Sequence, residues 1–413
     1  MKRKKCFLAI LICVIFLNGC GYPKEQVSES EEAKIYSEEI TLMHVDADKA
    51  SFKNYISEVE KELNMEIHLV QSLQNADNRH AQISTILSSG DSSVDVIGIN
   101  DEMMSEFKSK GYLDSLNETV MDEVTLSHYP VEYMKKIAMY EGDVYSVPYS
   151  MDIMVYWVND EILKRAGIYE VESKQSFDQL LEKGRTMTTY GYGGAWEESY
   201  VYNEIIQFIN MFGGDYTDWG NDNNRIAMEY LFKMMQNDYI PQNQLLDQYD
   251  QMLQKFLQGH YGSIFMYSGA ANTFFQSDMN VDGKIHMEKL PEFMNQTTNI
   301  ATWQYVLNSS SQKKESAEKF LNYVASKEGQ MSYSKHMNVL PARLDVIYEE
   351  ELTIPYIDVI RSYIDNVKLE PRTFTEQPMK DIRNIGKLFC EYVTGKITLD
   401  DFCVQMQQNV DGK

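Results

Sequence analysis

The residues able to do chemistry are plentiful, but few stand at the spacings that catalysis requires. The seven histidines, at 44, 68, 80, 128, 260, 286 and 336, have no ligand-like spacing, so no zinc site and no other metal centre is expected. GxSxG, HExxH and GxxxxGK[ST] are all missing, and Gly191-Tyr-Gly-Gly lacks the Lys-Ser/Thr a phosphate loop needs. Asp215–Asn224 (DYTDWGNDNN) is rich in oxygen ligands. Read as a calcium loop from Asp215 it puts Gly220 at the sixth position but Trp219 at the fifth, so a solvated turn is expected. What the chain does have is 28 Tyr and 4 Trp, at 157, 196, 219 and 303, among 62 carboxylates. Aromatic faces beside Asp, Glu and Asn bind hydroxyl-rich solutes. The rings stack on C–H patches at little entropic cost, and the polar groups pair hydroxyls whose burial unpaired would cost about 1–3 kcal/mol each. No cofactor and no enzymatic activity are expected.

Elements able to position such groups alternate along the body. Glu39–Val45 reads as a strand, and Asp48 is placed to cap a helix carrying Phe52, Tyr55, Ile56, Val59 and Leu63 on one face. A second strand over 66–70, a helix through Ile83, Ile86 and Leu87 ending at Gly90, and a nearly continuous apolar strand over 94–99 complete a βαβ rhythm. Ligands of parallel sheets collect beyond the C-terminal strand ends, which directs attention to His44–Asp46 and Asn100–Glu102. After Tyr145 the chain is mostly helical, and strand-like stretches recur over 261–267 and 301–307. Late strands among helices imply two lobes with the chain crossing between them more than once.

Length and charge narrow the field further. The 413 residues predict two or three domains, and 43% hydrophobic content is too rich for disorder. The net charge of −24, with no basic block outside the first five residues, argues against nucleic acid and against anionic membrane surfaces. At the N-terminus, Lys2–Lys5 precede an apolar run from Phe7 to Leu17, the form of a signal peptide over residues 1–19. Leu17-Asn18-Gly19-Cys20 resembles a bacterial lipobox, which implies lipid on Cys20 and a polar tether over 20–38. Removal of the four basic signal residues would deepen the charge to −28. Cys390 and Cys403 remain in the body, and twelve intervening residues leave open whether they pair or stay reduced and buried.

Four ordered segments carry a family resemblance. Gly142–Gly167 holds a G-x-x-Y-x-x-P turn, an acid four residues after the Pro, then Trp-x-Asn before a helix ending Ala-Gly. VDVIGINDEMMSEFKSKGYLDSL (Val94–Leu116), FLQGHYGSIFMYSG (Phe256–Gly269) and NVLPARLDVIY (Asn338–Tyr348) follow in the same order. Together they resemble the extracellular solute-binding proteins of ABC importers, family 1, the group that includes maltose-binding protein.

That resemblance implies an α/β, two-lobed periplasmic-binding-protein-like fold of type II, with a mainly parallel, helix-flanked sheet in each lobe and a hinge of crossing strands. The lobes are expected at 39–148 plus 267–305 and at 149–266 plus 306–413. It further implies a monomeric, non-catalytic receptor, held by its lipid at the extracytoplasmic face of the cell membrane. The receptor would take up a carbohydrate and pass it to permease subunits on separate chains. A polyamine in the same cleft, or a surface glycoside hydrolase or adhesin, are the alternatives.

Asp152 occupies the family's acidic position, with Tyr149 beside it, and Trp303 starts a return strand where the family often has Gly-Gly. His44 and Asp101 at strand ends, Trp196 in its Gly-rich loop, Tyr267 after the second return strand and Arg372 in EPRTF complete the expected ligand contacts.

Overall fold

The computed structural model describes residues 36–280 and 282–412, so the expected signal peptide, the Cys20 lipid site and nearly all of the tether lie outside the described residues. Strand β1 (Glu38–His44) lies between β2 (Met65–Gln71) and β3 (Val96–Asn100), parallel to both. The helix Ala50–Leu63 joins the first pair and buries Phe52, Tyr55, Ile56 and Val59, the face its 3.6-residue period predicts. Its expected cap is corrected: the N-cap is Lys49, one residue past Asp48, and no side chain caps the helix, while the Asp48 N–H donates to Gln71 Oε1 at 2.9 Å. The next helix, Ala76–Ser89, is capped by Asn75 and closed by Gly90 in the left-handed region.

A two-residue hairpin of β4 (Met139–Tyr140) and β5 (Asp143–Val144) leads into the long strand β6. Glu141 and Gly142 at its tip both have positive φ, as the tight primed turn demands. Strand β6 (Val147–Asn159) is buried along almost its whole length and pairs antiparallel with β9 (Thr297–Leu307). At one end β9 pairs with β3; toward the other end β6 pairs with β7 (Ser263–Tyr267) and β8 (Ile285–Glu288). Strand β10 (Lys368–Pro371) runs parallel to β9 at residues 297–300. The two long strands therefore belong to both halves of the molecule, which form one compact unit.

The expected lobe boundaries need correction. Because β9 runs out of the second half and into the first, it delivers the segment after it to β1. There Lys313 and Lys319 reach Glu39 and Glu38 at 2.8 and 2.7 Å, and Tyr333 packs edge-on against Tyr55. The helices Lys314–Ala325 and Lys327–Met337 thus belong with the first half. Conversely, β8 pairs with the far end of β6 and Phe274 packs on Trp157, so 271–288 belongs with the second. Cys390 and Cys403, left open by the sequence, are free thiols on the helices Pro378–Val393 and Leu399–Val410. No helix among the described residues is long and apolar enough to cross a membrane.

One buried side chain fixes the helix Val201–Met211 to β9. Gln207 Oε1 accepts from Thr298 Oγ1 and from the Asn299 backbone N–H, both at 3.0 Å, while Asn299 Nδ2 donates to the Asn203 carbonyl at 2.9 Å. This sets the depth and rotation of the first helical turn, which carries Tyr202 and Asn203. Gln207→Leu leaves the Asn299 N–H without an acceptor and is expected to cost about 1–3 kcal/mol. Urea denaturation checks the loss, and an unchanged midpoint would contradict it.

Candidate functional site

The bulge between Pro148 and Ser150 shapes the site. On the β9 side Gln304 and Trp303 are consecutive partners, so Tyr149 is the extra residue on β6, displaced from the ladder. Beyond the bulge the period of two holds. Ser150 opposes Trp303 and Asp152 opposes Ala301, and these four residues share one face of the crossing strands. That face forms part of the lining of a cleft of about 640 Å³.

Six of the eight sequence-predicted contacts line this cleft: Asp101, Tyr149, Asp152, Tyr267, Trp303 and Arg372. Asp101 opens the short turn after β3, and Arg372 follows directly on the end of β10. They meet: Arg372 Nη2 donates to Asp101 Oδ1, while Nη1 donates to Asn203 Oδ1 at 2.7 Å, the Tyr202 hydroxyl at 2.9 Å and Glu102 Oε1 at 3.1 Å. The Tyr202 hydroxyl donates in turn to Glu102, and the Tyr267 hydroxyl to Asn203 Oδ1 at 3.0 Å. The Tyr202 and Tyr267 ring centroids each lie 5.6 Å from the guanidinium carbon.

Burial raises the Asp101 carboxyl, and Arg372 opposes that rise. Burial also raises Asp152, which accepts from the Gly269 N–H at 2.7 Å and from Ser268 Oγ at 3.0 Å. Trp303 is half-buried. Arg79 lies 5.1 Å from its ring centroid and donates to the carbonyls of Leu73 and Gln74 at 3.2 and 2.7 Å.

Two expected contacts do not line the cleft. Trp196 is buried against Phe389, 5.1 Å between ring centroids, and anchors its loop to the helix Pro378–Val393. His44 is fully buried, stacked on Phe52 at 4.1 Å, with Gly98 so close that a Cβ there would stand 2.8 Å from the imidazole. Its Nδ1 accepts from the Asp46 N–H at 3.0 Å, so Nε2 carries the proton and donates to the Tyr149 hydroxyl at 2.8 Å. His44 therefore acts through Tyr149, as its support. Sequence reasoning missed Arg79, Tyr202 and Asn203, and left Glu102 out of the expected contacts although the strand-end rule pointed to its segment. Tyr202 and Asn203 begin a helix that reads as core, and nothing marks Arg79 in its polar stretch.

The family model described as bacterial extracellular solute-binding protein matches residues 47–331. A probable amino-acid ABC transporter periplasmic-binding protein of Sinorhizobium fredii (strain NBRC 101917 / NGR234) is 21% identical over 244 residues, 56% of this chain and 54% of its own. The match thus spans about half the length of that curated relative. Among solved structures, maltose-bound MalE3 of T. maritima superposes with TM-score 0.75 at 15% identity, over 91% of this chain and 99% of that one. The GacH receptor of Streptomyces glaucescens GLA.O, solved unliganded and with acarbose, gives TM-score 0.75 at 18% identity, over 90% and 97%. At such identities the likeness is one of fold, a two-lobed binding-protein fold.

Burial lowers the His44 imidazole to about 3, with Lys49 a lesser cause. The unfolded chain therefore takes up this proton first as pH falls, and the stability held above about pH 6.5 is lost progressively toward pH 3. Between pH 7 and 5 the wild type is expected to lose about 2 kcal/mol more than His44→Asn. Urea midpoints at the two pH values check this, and parallel losses in both proteins would contradict it.

Proposed function

The chain belongs to the bacterial extracellular solute-binding proteins, and on that premise we propose that it captures a neutral carbohydrate, an oligosaccharide, between its two halves and delivers it to the permease of an ABC importer. The observation that carries this reading is the state of the charges in the cleft. Five carboxylates line it, at 46, 77, 101, 102 and 152, and Asp152 is the one among them without a cationic partner. Arg372 takes Asp101 and Glu102, Arg383 takes Asp77 at 3.4 Å, and Lys49 takes Asp46 at 2.8 Å. A polyamine would want several uncommitted carboxylates. A neutral polyhydroxyl solute wants hydrogen-bonding groups and ring faces instead, and the lining offers both.

Asp152 in this account accepts from sugar hydroxyls. Trp303, backed by Arg79, gives a ring face to a sugar's C–H patch, and Tyr149, Tyr202 and Tyr267 supply further edges and hydroxyls. Solute shifts the protein toward its closed form only by as much as it binds that form better. A micromolar Kd corresponds to about −8 kcal/mol, within reach of a few stacked rings and charge-assisted hydrogen bonds. The relatives bound to maltose and to acarbose support the carbohydrate choice. Lipid on Cys20 would hold a monomeric receptor at the extracytoplasmic face of the membrane, near its permease, and no catalytic step is assigned.

A thermal-shift screen against mono- and oligosaccharides, amino acids and polyamines tests the proposal. Stabilisation by a neutral saccharide alone is expected. Stabilisation by a cation with no response to any sugar would overturn it, as would cleavage of the bound saccharide. Trp303→Ala is expected to weaken binding by about 0.5–1.5 kcal/mol or more at an unchanged melting temperature. Equal losses of affinity and stability would instead make Trp303 a packing residue.

A further inference from the structure

The turn after β7 completes a ladder that the strand itself leaves unfinished. Pairing between β6 and β7 ends at Met154 and Tyr267, so the N–H of Ile153 has no partner on β7. Ser268 Oγ, on the short turn Ser268–Ala270, accepts it at 3.2 Å. A hydroxyl has a single proton, and with its oxygen accepting from Ile153 that proton goes to Asp152 Oδ1 at 3.0 Å. The Gly269 N–H reaches the same oxygen at 2.7 Å. A Cβ on Gly269 would stand 3.0 Å from Oδ1 and 3.4 Å from Oδ2, so a side chain there would crowd the carboxylate from behind. Both donors thus take one oxygen. Asp152 lines the cleft, and its Oδ2 has no partner among the described residues.

We propose that Ser268 and Gly269 are positioning residues for Asp152: by holding Oδ1 they present Oδ2 to the cleft as a fixed acceptor for a solute hydroxyl. This deepens the carbohydrate reading and rests on it, since it gives the cleft a subsite that demands a donor from the solute. An unheld carboxylate turns freely within a broad χ2 range. One anchored at Oδ1 turns only by breaking two hydrogen bonds. The same bonds bear on its charge. Burial raises the Asp152 carboxyl, and the Gly269 N–H, the Ser268 hydroxyl and Arg372 each act against that rise. The other titratable group facing it, the Tyr267 phenol, is pushed up by burial and stays neutral. Ser268 and Gly269 therefore set both the direction of the open oxygen and the ease with which it carries charge. They also account for the Tyr-Ser-Gly that closes the segment Phe256–Gly269.

Carbon NMR titration of the aspartate carboxyls in the solute-free protein tests this without any ligand. Its failure would leave the carbohydrate reading standing, and a failed sugar screen would leave the positioning intact. Asp152→Asn identifies the Asp152 resonance by its loss. Ser268→Ala is expected to move the Asp152 midpoint to higher pH, its proton affinity rising about tenfold or more as one hydrogen bond to the charged form is lost. Ser268→Cys, close in shape but a weaker donor, is expected to fall between the two. A purely structural role for Ser268 would lower the melting temperature and leave the midpoint where it was. In the wild type the Gly269 amide proton is expected to shift with the Asp152 midpoint, and this carries the test should the variants fail to fold. Equal midpoints in the wild type and both Ser268 variants, or a Gly269 amide proton indifferent to the titration of Asp152, would overturn the proposal.

Discussion

The antiparallel pairing of β6 with β9 is the constraint on which the rest depends. Both strands are longer than either half of the molecule needs, and both are buried through most of their length. The first half takes Val147 to Met151 with Trp303 to Leu307, and the second takes what lies beyond. A strand shared in this way must satisfy its backbone groups in both sheets at once. A slip of one residue would turn the entire lining face, Ser150, Asp152, Ala301 and Trp303, away from the cleft. The one irregularity, at Tyr149, sits where Pro148 has no N–H to give the ladder, and it carries Tyr149 into contact with His44.

The second organising fact is the cost of a buried guanidinium. Arg372 is removed from water, and its charge is tolerable because two carboxylates, an amide oxygen and a hydroxyl surround it. Meeting that demand fixes the positions of Asp101, Glu102, Tyr202 and Asn203, hence the shape of the deep end of the cleft. It also uses up most of the charge there. A binding surface with acceptors, donors and ring faces but little uncommitted charge suits a solute made of hydroxyls and C–H patches. Acidity elsewhere on the chain has no such role.

Much of this was legible in the residues, for identifiable reasons. Periodicity located the two intervening helices, each of which buries one regular face, and a continuous apolar run located β3. The strand-end rule pointed to Asp101 and the Pro-centred motif to Asp152, and both line the cleft. His44 was misplaced because the same rule cannot tell a side chain turned into the core from one turned outward; the missing side chain of Gly98 leaves room that the imidazole fills. Trp196 was misplaced because a Gly-rich loop can present a ring or bury it, and Phe389 arrives from nearly two hundred residues away. The lobe boundaries failed where the direction of β9 governs which half receives the following helices. The Tyr202–Asn203 turn was invisible because its role arises from cross-half contacts, and Arg79 because it meets Trp303, which lies far along the chain; no local pattern encodes either.

The central claim is that the cleft recognises neutral hydroxyl-rich solutes through committed charges and free ring faces. Calorimetric titration with the saccharide that stabilises the protein, at low and at high ionic strength, tests it most directly. The account predicts a Kd that hardly changes with salt, because no counter-ion is released and no net charge is paired across the interface. A saccharide-independent affinity for a cationic solute that weakens steeply as salt rises would contradict it.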